Sequence, residues 1–95
     1  TQSLCKELGP KKIRVNALCP VLIETDSLIE ALSEPDAPGG EDAQAFLKNF
    51  KMANSALGRL PTGADVGNMT VFLASTAASG ITGQCINVDC GVFPQ

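Results

Sequence analysis

The side chains that most often carry enzyme chemistry are scarce in this chain. Its 95 residues include no His, Tyr or Trp, so imidazole and phenol are excluded as general acids or bases, and the commonest zinc ligand is excluded with them. What remains are Cys5, Cys19, Cys85 and Cys90, the amide of Asn16, the carboxylates of Glu24, Asp65 and Asp89, and the segment Pro20 to Thr25. The four cysteines lack the two-residue spacing of a zinc ribbon and fall in segments that read as helix, strand, strand and turn. They are expected to be buried reduced thiols that pack as small hydrophobes, in preference to disulfides or metal ligands. Asp65 and Asp89 stand at a helix start and a strand end, where an ionised carboxylate caps N–H groups well. Asn16 reads as a tie between backbone segments, Glu24 as a solvated charge, and nothing in the spacing brings two carboxylates together for acid–base work. Pro20 to Thr25 is the segment with a direct chemical reading. It follows an apolar run, so its backbone groups and the Thr25 hydroxyl would face the crevice where parallel sheets place ligands. A plain strand-to-helix turn with Thr25 as its cap is the alternative.

Charge and composition narrow the partners. Lys and Arg number 7 against 10 Asp and Glu, a net charge of -3. The one basic run, Lys11-Lys12-Ile13-Arg14, reads as a helix C-terminus, so no nucleic-acid partner is expected, since such binding rewards clustered cations. The apolar share of 44% is that of a globular protein. No apolar run approaches the roughly twenty residues of a membrane-spanning helix, so no membrane span is expected. Reduced thiols point to a reducing intracellular compartment, cytoplasm or organelle matrix. The first residues lack both an initiating Met and the order of a secretory signal, and the sequence reads as beginning mid-protein.

The elements that must position these groups follow from periodicity and punctuation. Ser3 to Leu8 has helical spacing, and Gly9-Pro10 reads as its stop, with Gly9 in the left-handed cap. Ile13 to Cys19 alternates and then turns continuously apolar, the pattern of a parallel strand buried on both faces. Asp26 or Ser27 caps a helix through Leu28, Ile29, Ala31 and Leu32. Ser33 to Gly40, with Pro35 and Pro38, reads as a loop. Glu41 to Ser55 returns to helical spacing with Ala45, Phe46, Phe50 and Met52 or Ala53 as its inner face. Thr62 caps a further helix, with Asp65 in the capping-box register. That helix is broadly apolar through Val66, Met69, Thr70, Phe72, Leu73 and Ala77. Gln84 to Asp89 is a short strand with Ile86 and Val88 on one face. The order helix, strand, helical excursion, helix, strand is the second half of a parallel α/β sheet. Two strands do not make a stable parallel sheet alone, so the chain is expected to be a piece of something larger.

Leu8-Gly9, Ile13-Arg14-Val15-Asn16-Ala17 and Pro20 are followed by Thr25, by Gly58-Arg59, Thr62 and Asp65-Val66, and by Phe72-Leu73-Ala74-Ser75. Ile81-Thr82-Gly83-Gln84, Val88-Asp89 and Gly91 complete the series. In order and spacing these pieces resemble the C-terminal portion of the short-chain dehydrogenases/reductases, over nearly the whole chain, and only 26–57 is family-variable. Any one piece would be weak, and their agreement in order is specific.

The resemblance implies an α/β chain: the C-terminal portion (1–95) of a single Rossmann-type, doubly wound NAD(P)-binding domain. It would hold the last two strands, their helices and a substrate-lid insertion over 26–57. The activity implied is hydride transfer between nicotinamide, as NAD or NADP, and a small-molecule carbonyl or alcohol substrate, in a homo-oligomer, dimer or tetramer. The implied cofactor-binding residues are Pro20, Val21, Ile23 and Thr25, with the Ile23 backbone on the nicotinamide carboxamide and the Thr25 hydroxyl on the carboxamide or phosphate. Leu28, Leu32, Phe46 and Phe50 would make an apolar pocket in the lid. No catalytic or metal-binding residue is implied here. The family's glycine-rich loop and its catalytic Ser, Tyr and Lys have no counterpart in the chain, so the 95 residues alone are expected to be inactive. Two departures stand out. Pro20-Val21 replaces the family's Pro-Gly, where strain is expected at Val21, and Asp89-Cys90-Gly91 replaces Asp-Gly-Gly, a change expected to touch only packing or a subunit surface. Two other readings stand beside the first. One is an enoyl-thioester reductase of the same superfamily, suggested by Asp65-Val66-Gly67-Asn68 and ranked lower because Pro20 fits the carbonyl-acting branch. The other is a truncated, non-enzymatic, self-associating remnant.

Overall fold

The computed structural model describes residues 1–33 and 42–94. The first helix, α1, spans Gln2–Leu8 and buries none of its residues. Its stop differs from expectation. Gly9 is right-handed at φ -55°, and a 3-10 turn over Gly9–Lys11 carries the chain on to Lys12, which is the left-handed residue at φ 61°. Proline's fixed φ suits the first turn of a helix, so Pro10 starts a further turn here and moves the stop by three residues.

Two three-residue strands form a parallel pair, β1 (Ala17–Cys19) and β2 (Cys85–Asn87), in the register Ala17 to Cys85, Leu18 to Ile86 and Cys19 to Asn87. Both are shorter than the alternation predicts. Ahead of β1, side chains take over the pairing. The Val15 N–H donates to Thr82 Oγ1 at 3.0 Å and the Val15 carbonyl accepts from Gly83 N at 2.8 Å. Asn16 Nδ2 donates to the Ile81 carbonyl at 2.9 Å, while its Oδ1 accepts from Gln84 N at 3.1 Å. Asn16 is therefore the backbone tie that its amide predicts. Burial of β1 on both faces is not observed: Ala17 and Leu18 are half-buried and Cys19 is exposed.

Between the strands run α2 (Asp26–Leu32), α3 (Ala43–Asn54) and α4 (Gly63–Ala74), with a 3-10 turn at Thr76–Ala78. Thr25, and neither Asp26 nor Ser27, caps α2, its Oγ1 accepting from Leu28 N at 3.1 Å. Of the loop expected over 33–40, all but Ser33 lies outside the described residues, as does Glu41, the expected start of the next helix. Asp42 caps α3. Its inner face is Ala43 and Leu47, with Phe46 and Phe50 half-buried beside them, while Ala45 and Met52 are exposed. Leu32, Ala43, Leu47 and Leu60 form one buried cluster, against which Val21, Leu22, Leu28, Ile29, Phe46 and Phe50 pack. Leu28, Leu32, Phe46 and Phe50 thus fill a core where a lid pocket is expected.

Thr62 and Asp65 make the predicted capping box at the start of α4. This helix is apolar on most of its circumference. It buries only Leu73, leaving Phe72 42% and Val71 70% exposed. Asp89 is buried and, as expected, caps local N–H groups, accepting from Gly91 N and Phe93 N at 3.0 Å each. All four cysteines are free thiols, but Cys19 and Cys85 are exposed and Cys5 and Cys90 half-buried, so burial is not what keeps them apart. No helix among the described residues is long and apolar enough to cross a membrane.

Candidate functional site

The parallel pair points both carboxyl ends, Cys19 and Asn87, to one edge, and Pro20 to Thr25 leaves from that edge. The four expected cofactor residues do not all face the same way. Pro20 is exposed just past β1. Val21 is half-buried and turns into the Leu32 and Leu47 cluster. Its φ is not positive, so the strain expected there is absent, and the left-handed non-glycine residue after a strand is instead Cys90, at φ 54°. Cys90 stands where the family has glycine, so that departure changes backbone strain as well as packing.

Ile23 lines a cleft of about 300 Å³ together with Glu24, Lys51, Arg59, Leu60, Pro61, Thr62 and Gly63. A tight turn sets its backbone, with Thr25 N donating to the Ile23 carbonyl at 2.8 Å. That carbonyl keeps a second lone pair, and among the described residues nothing accepts from the Ile23 N–H. Thr25 is exposed at the head of α2. Its hydroxyl oxygen serves the cap, so its proton remains to be donated.

Charge in this cleft is arranged in two pairs. Glu24 Oε1 lies 2.6 Å from Lys51 Nζ, so Glu24, exposed as its sequence suggests, is also paired. Arg59 Nη1 lies 2.8 Å from Asp65 Oδ2, which also accepts from Thr62 N at 2.9 Å. The Thr62 backbone N–H and then the Arg59 guanidinium hold the Asp65 carboxyl down at about 2, and the same hydrogen bond raises Arg59 above its ordinary value. Neither ion pair announces itself by local spacing. The family motif marks Gly58-Arg59 and Asp65 separately, but nothing in the sequence links Glu24 with Lys51.

A second cleft, of about 490 Å³, lies between α4 and the turn after β2, lined among others by Leu57, Met69, Phe72, Val88 and Gly91. Among the described residues, no three His, Cys, Asp or Glu side chains converge as a metal site would require.

The family model described as enoyl-(acyl carrier protein) reductase matches residues 1–93. The 3-oxoacyl-(acyl-carrier-protein) reductase of Aquifex aeolicus is 40% identical over 93 residues, covering 98% of this chain and 33% of its own length. The 3alpha-hydroxysteroid dehydrogenase of Mediterraneibacter gnavus is 39% identical over 89 residues, covering 94% of the chain and 31% of its own length. The crystal structure of L-sorbose reductase from Gluconobacter frateurii, complexed with NADPH and L-sorbose, superposes with a TM-score of 0.83 at 28% identity. It covers 99% of this chain and 36% of its own. The chain spans about a third of the length of the curated relatives it matches.

Proposed function

Since the chain belongs to the short-chain dehydrogenases/reductases, we propose that it forms the nicotinamide-side wall and the substrate lid of an NAD(P)-dependent oxidoreductase. The whole protein would move hydride between nicotinamide and a carbonyl or alcohol carbon. Residues 1–95 are then one portion of a single nucleotide-binding domain, with 26–57 its lid insertion. The observation that carries the reading is the Ile23 to Thr25 turn, which sets a backbone N–H, a carbonyl and a hydroxyl proton at the carboxyl edge of a parallel strand pair. The two lone pairs of a carboxamide oxygen can accept from the N–H and the hydroxyl, and its NH2 can donate to the carbonyl. Pro20 fixes the exit from β1, and Val21 anchors the segment to the core, so the contacts of these two with cofactor are indirect.

The carbonyl-acting reading stays ahead of the enoyl-thioester one. The family model takes its name from enoyl reductases, but the curated relatives are named for an oxo group in one case and a hydroxysteroid in the other. NADPH accompanies the L-sorbose reductase neighbour, which supports a nicotinamide cofactor without choosing between NAD and NADP.

Thr25→Val in the full-length protein tests the site. Losing one hydrogen bond to cofactor should weaken binding by on the order of 1 kcal/mol, and losing the α2 cap should cost about 1 kcal/mol of stability. The two effects are read separately, as NADH or NADPH affinity and as Tm. A lowered Tm with unchanged affinity for both nucleotides would leave Thr25 a cap and nothing more.

A further inference from the structure

Leu47 and Lys51 lie four residues apart on α3 and so share one face. Leu47 is fully buried in the core, and one turn further on Lys51 reaches the carboxylate of Glu24 at 2.6 Å. Glu24 stands between Ile23 and Thr25, the two residues whose backbone and hydroxyl form the proposed nicotinamide contact. A side chain held at Glu24 therefore restrains the peptide planes on both sides of it. The same segment is already tied to α3 through Val21 and Leu22, which pack on the Leu32, Ala43, Leu47 and Leu60 cluster. Arg59 shares the cleft but is engaged by Asp65 at 2.8 Å, which leaves Lys51 as the cation that meets Glu24. The two side chains are 26% and 35% exposed, a setting in which an ion pair is too weak to decide the fold and strong enough to bias a local arrangement.

We propose that Glu24 and Lys51 are positioning residues whose ion pair couples α3 of the lid to the nicotinamide-contacting turn at Ile23 to Thr25. The inference rests on the reading of that turn as a cofactor contact. Because coupling between two sites is reciprocal, cofactor bound at the turn then orders α3, and α3 seated over substrate holds the turn.

The test uses the full-length protein with NADH and NADPH as probes. Nucleotide fluorescence establishes binding first, and hydrogen exchange of the α3 amides is then compared with and without nucleotide. The expected result is several-fold slower exchange in wild-type α3 on binding, and a loss of two- to fivefold of that slowing in Lys51→Met and in Glu24→Gln, the range a partly exposed ion pair carries. The charge-exchanged double variant, Glu24→Lys with Lys51→Glu, should recover it. A purely structural ion pair would change exchange in the free protein and leave the nucleotide-dependent part intact, and that result overturns the coupling. So does a wild-type α3 that ignores bound nucleotide. Failure of the wild type to bind either nucleotide overturns the functional reading itself, and it is recognised at the fluorescence step before any variant is compared.

Discussion

Protonating Asp65 would loosen the start of α4 and its junction with the preceding loop together. One carboxylate oxygen accepts from the Thr62 backbone and from Arg59, while the Asp65 N–H donates to Thr62 Oγ1 at 3.1 Å. The carboxyl sits at about 2 in the folded chain against 3.8 ordinarily. A depressed value means that the unfolded chain takes up the proton first, so the stabilisation is fully present above about pH 4 and is lost as pH falls toward 2. Asp65→Asn should therefore lower Tm at neutral pH, and its Tm curve should converge on the wild-type curve as pH is taken from 5 down to 2. A constant gap across that range would show that the carboxylate charge is not what holds the junction. This box was legible in the sequence because its partners are three residues apart. The Glu24 and Lys51 pair was not, since it depends on how α3 lies over the strand end, and Glu24 alone looks like any surface charge. Arg14 is a similar case, its guanidinium meeting the Ile81 and Ser75 carbonyls at 3.3 Å each across most of the chain.

The turn after β2 shows how elements are joined by backbone where side chains are small. The Leu57 N–H donates to the Cys90 carbonyl at 3.1 Å, which brings the α3-to-α4 connection against residues 89–91. Gly91 has φ +81°, and a Cβ there would lie 2.5 Å from the Ala56 Cβ, an atom with no rotamer by which to move away. Gly58 has φ +73° with nothing within 4 Å of a Cβ. Gly58→Ala should then cost only the left-handed penalty of roughly 1–2 kcal/mol, and Gly91→Ala clearly more, because the connection must part from the turn. Equal losses of Tm would mean that the connection yields freely. The positions and types of the helices were readable from caps and apolar spacing, and so was the parallel pairing, through the excursion between the strands. The lengths of the strands were not, because Thr82 and Asn16 replace ladder bonds with side-chain bonds that imitate a strand in sequence. Nor was the inner face of α3, where the neighbouring Leu32 and Leu60 select Ala43 and Leu47 from several apolar candidates.

At the scale of the whole chain, apolar surface stays open. The radius of gyration is 16.5 Å, against about 12 Å for a compact domain of this length. Of the apolar residues of α4, Met69 is half-buried and Leu73 buried, and the outward pair is Val71 and Phe72 beside the larger cleft. The tail folds partly back, with Asn87 Nδ2 donating to the Phe93 carbonyl at 3.1 Å, yet Phe93 remains exposed. We propose that α4 pairs with its copy in a homo-oligomer, as the family resemblance implies. Val71→Glu in the full-length protein should lower the mass seen by light scattering at micromolar concentration, and a wild type that is already monomeric there would end that proposal. The Asn16 clasp has a further consequence, which lies in time. Its amide bridges to Gln84, 68 residues along the chain, and closing a loop of that length costs about 4 kcal/mol of chain entropy before any bond forms. The α2 and α3 contacts close far shorter loops. Refolding should therefore build the helical excursion first and shut the sheet last, so that Asn16→Ala accelerates unfolding while Leu47→Ala retards refolding. Stopped-flow traces in which Asn16→Ala mainly slowed refolding would reverse that sequence of events.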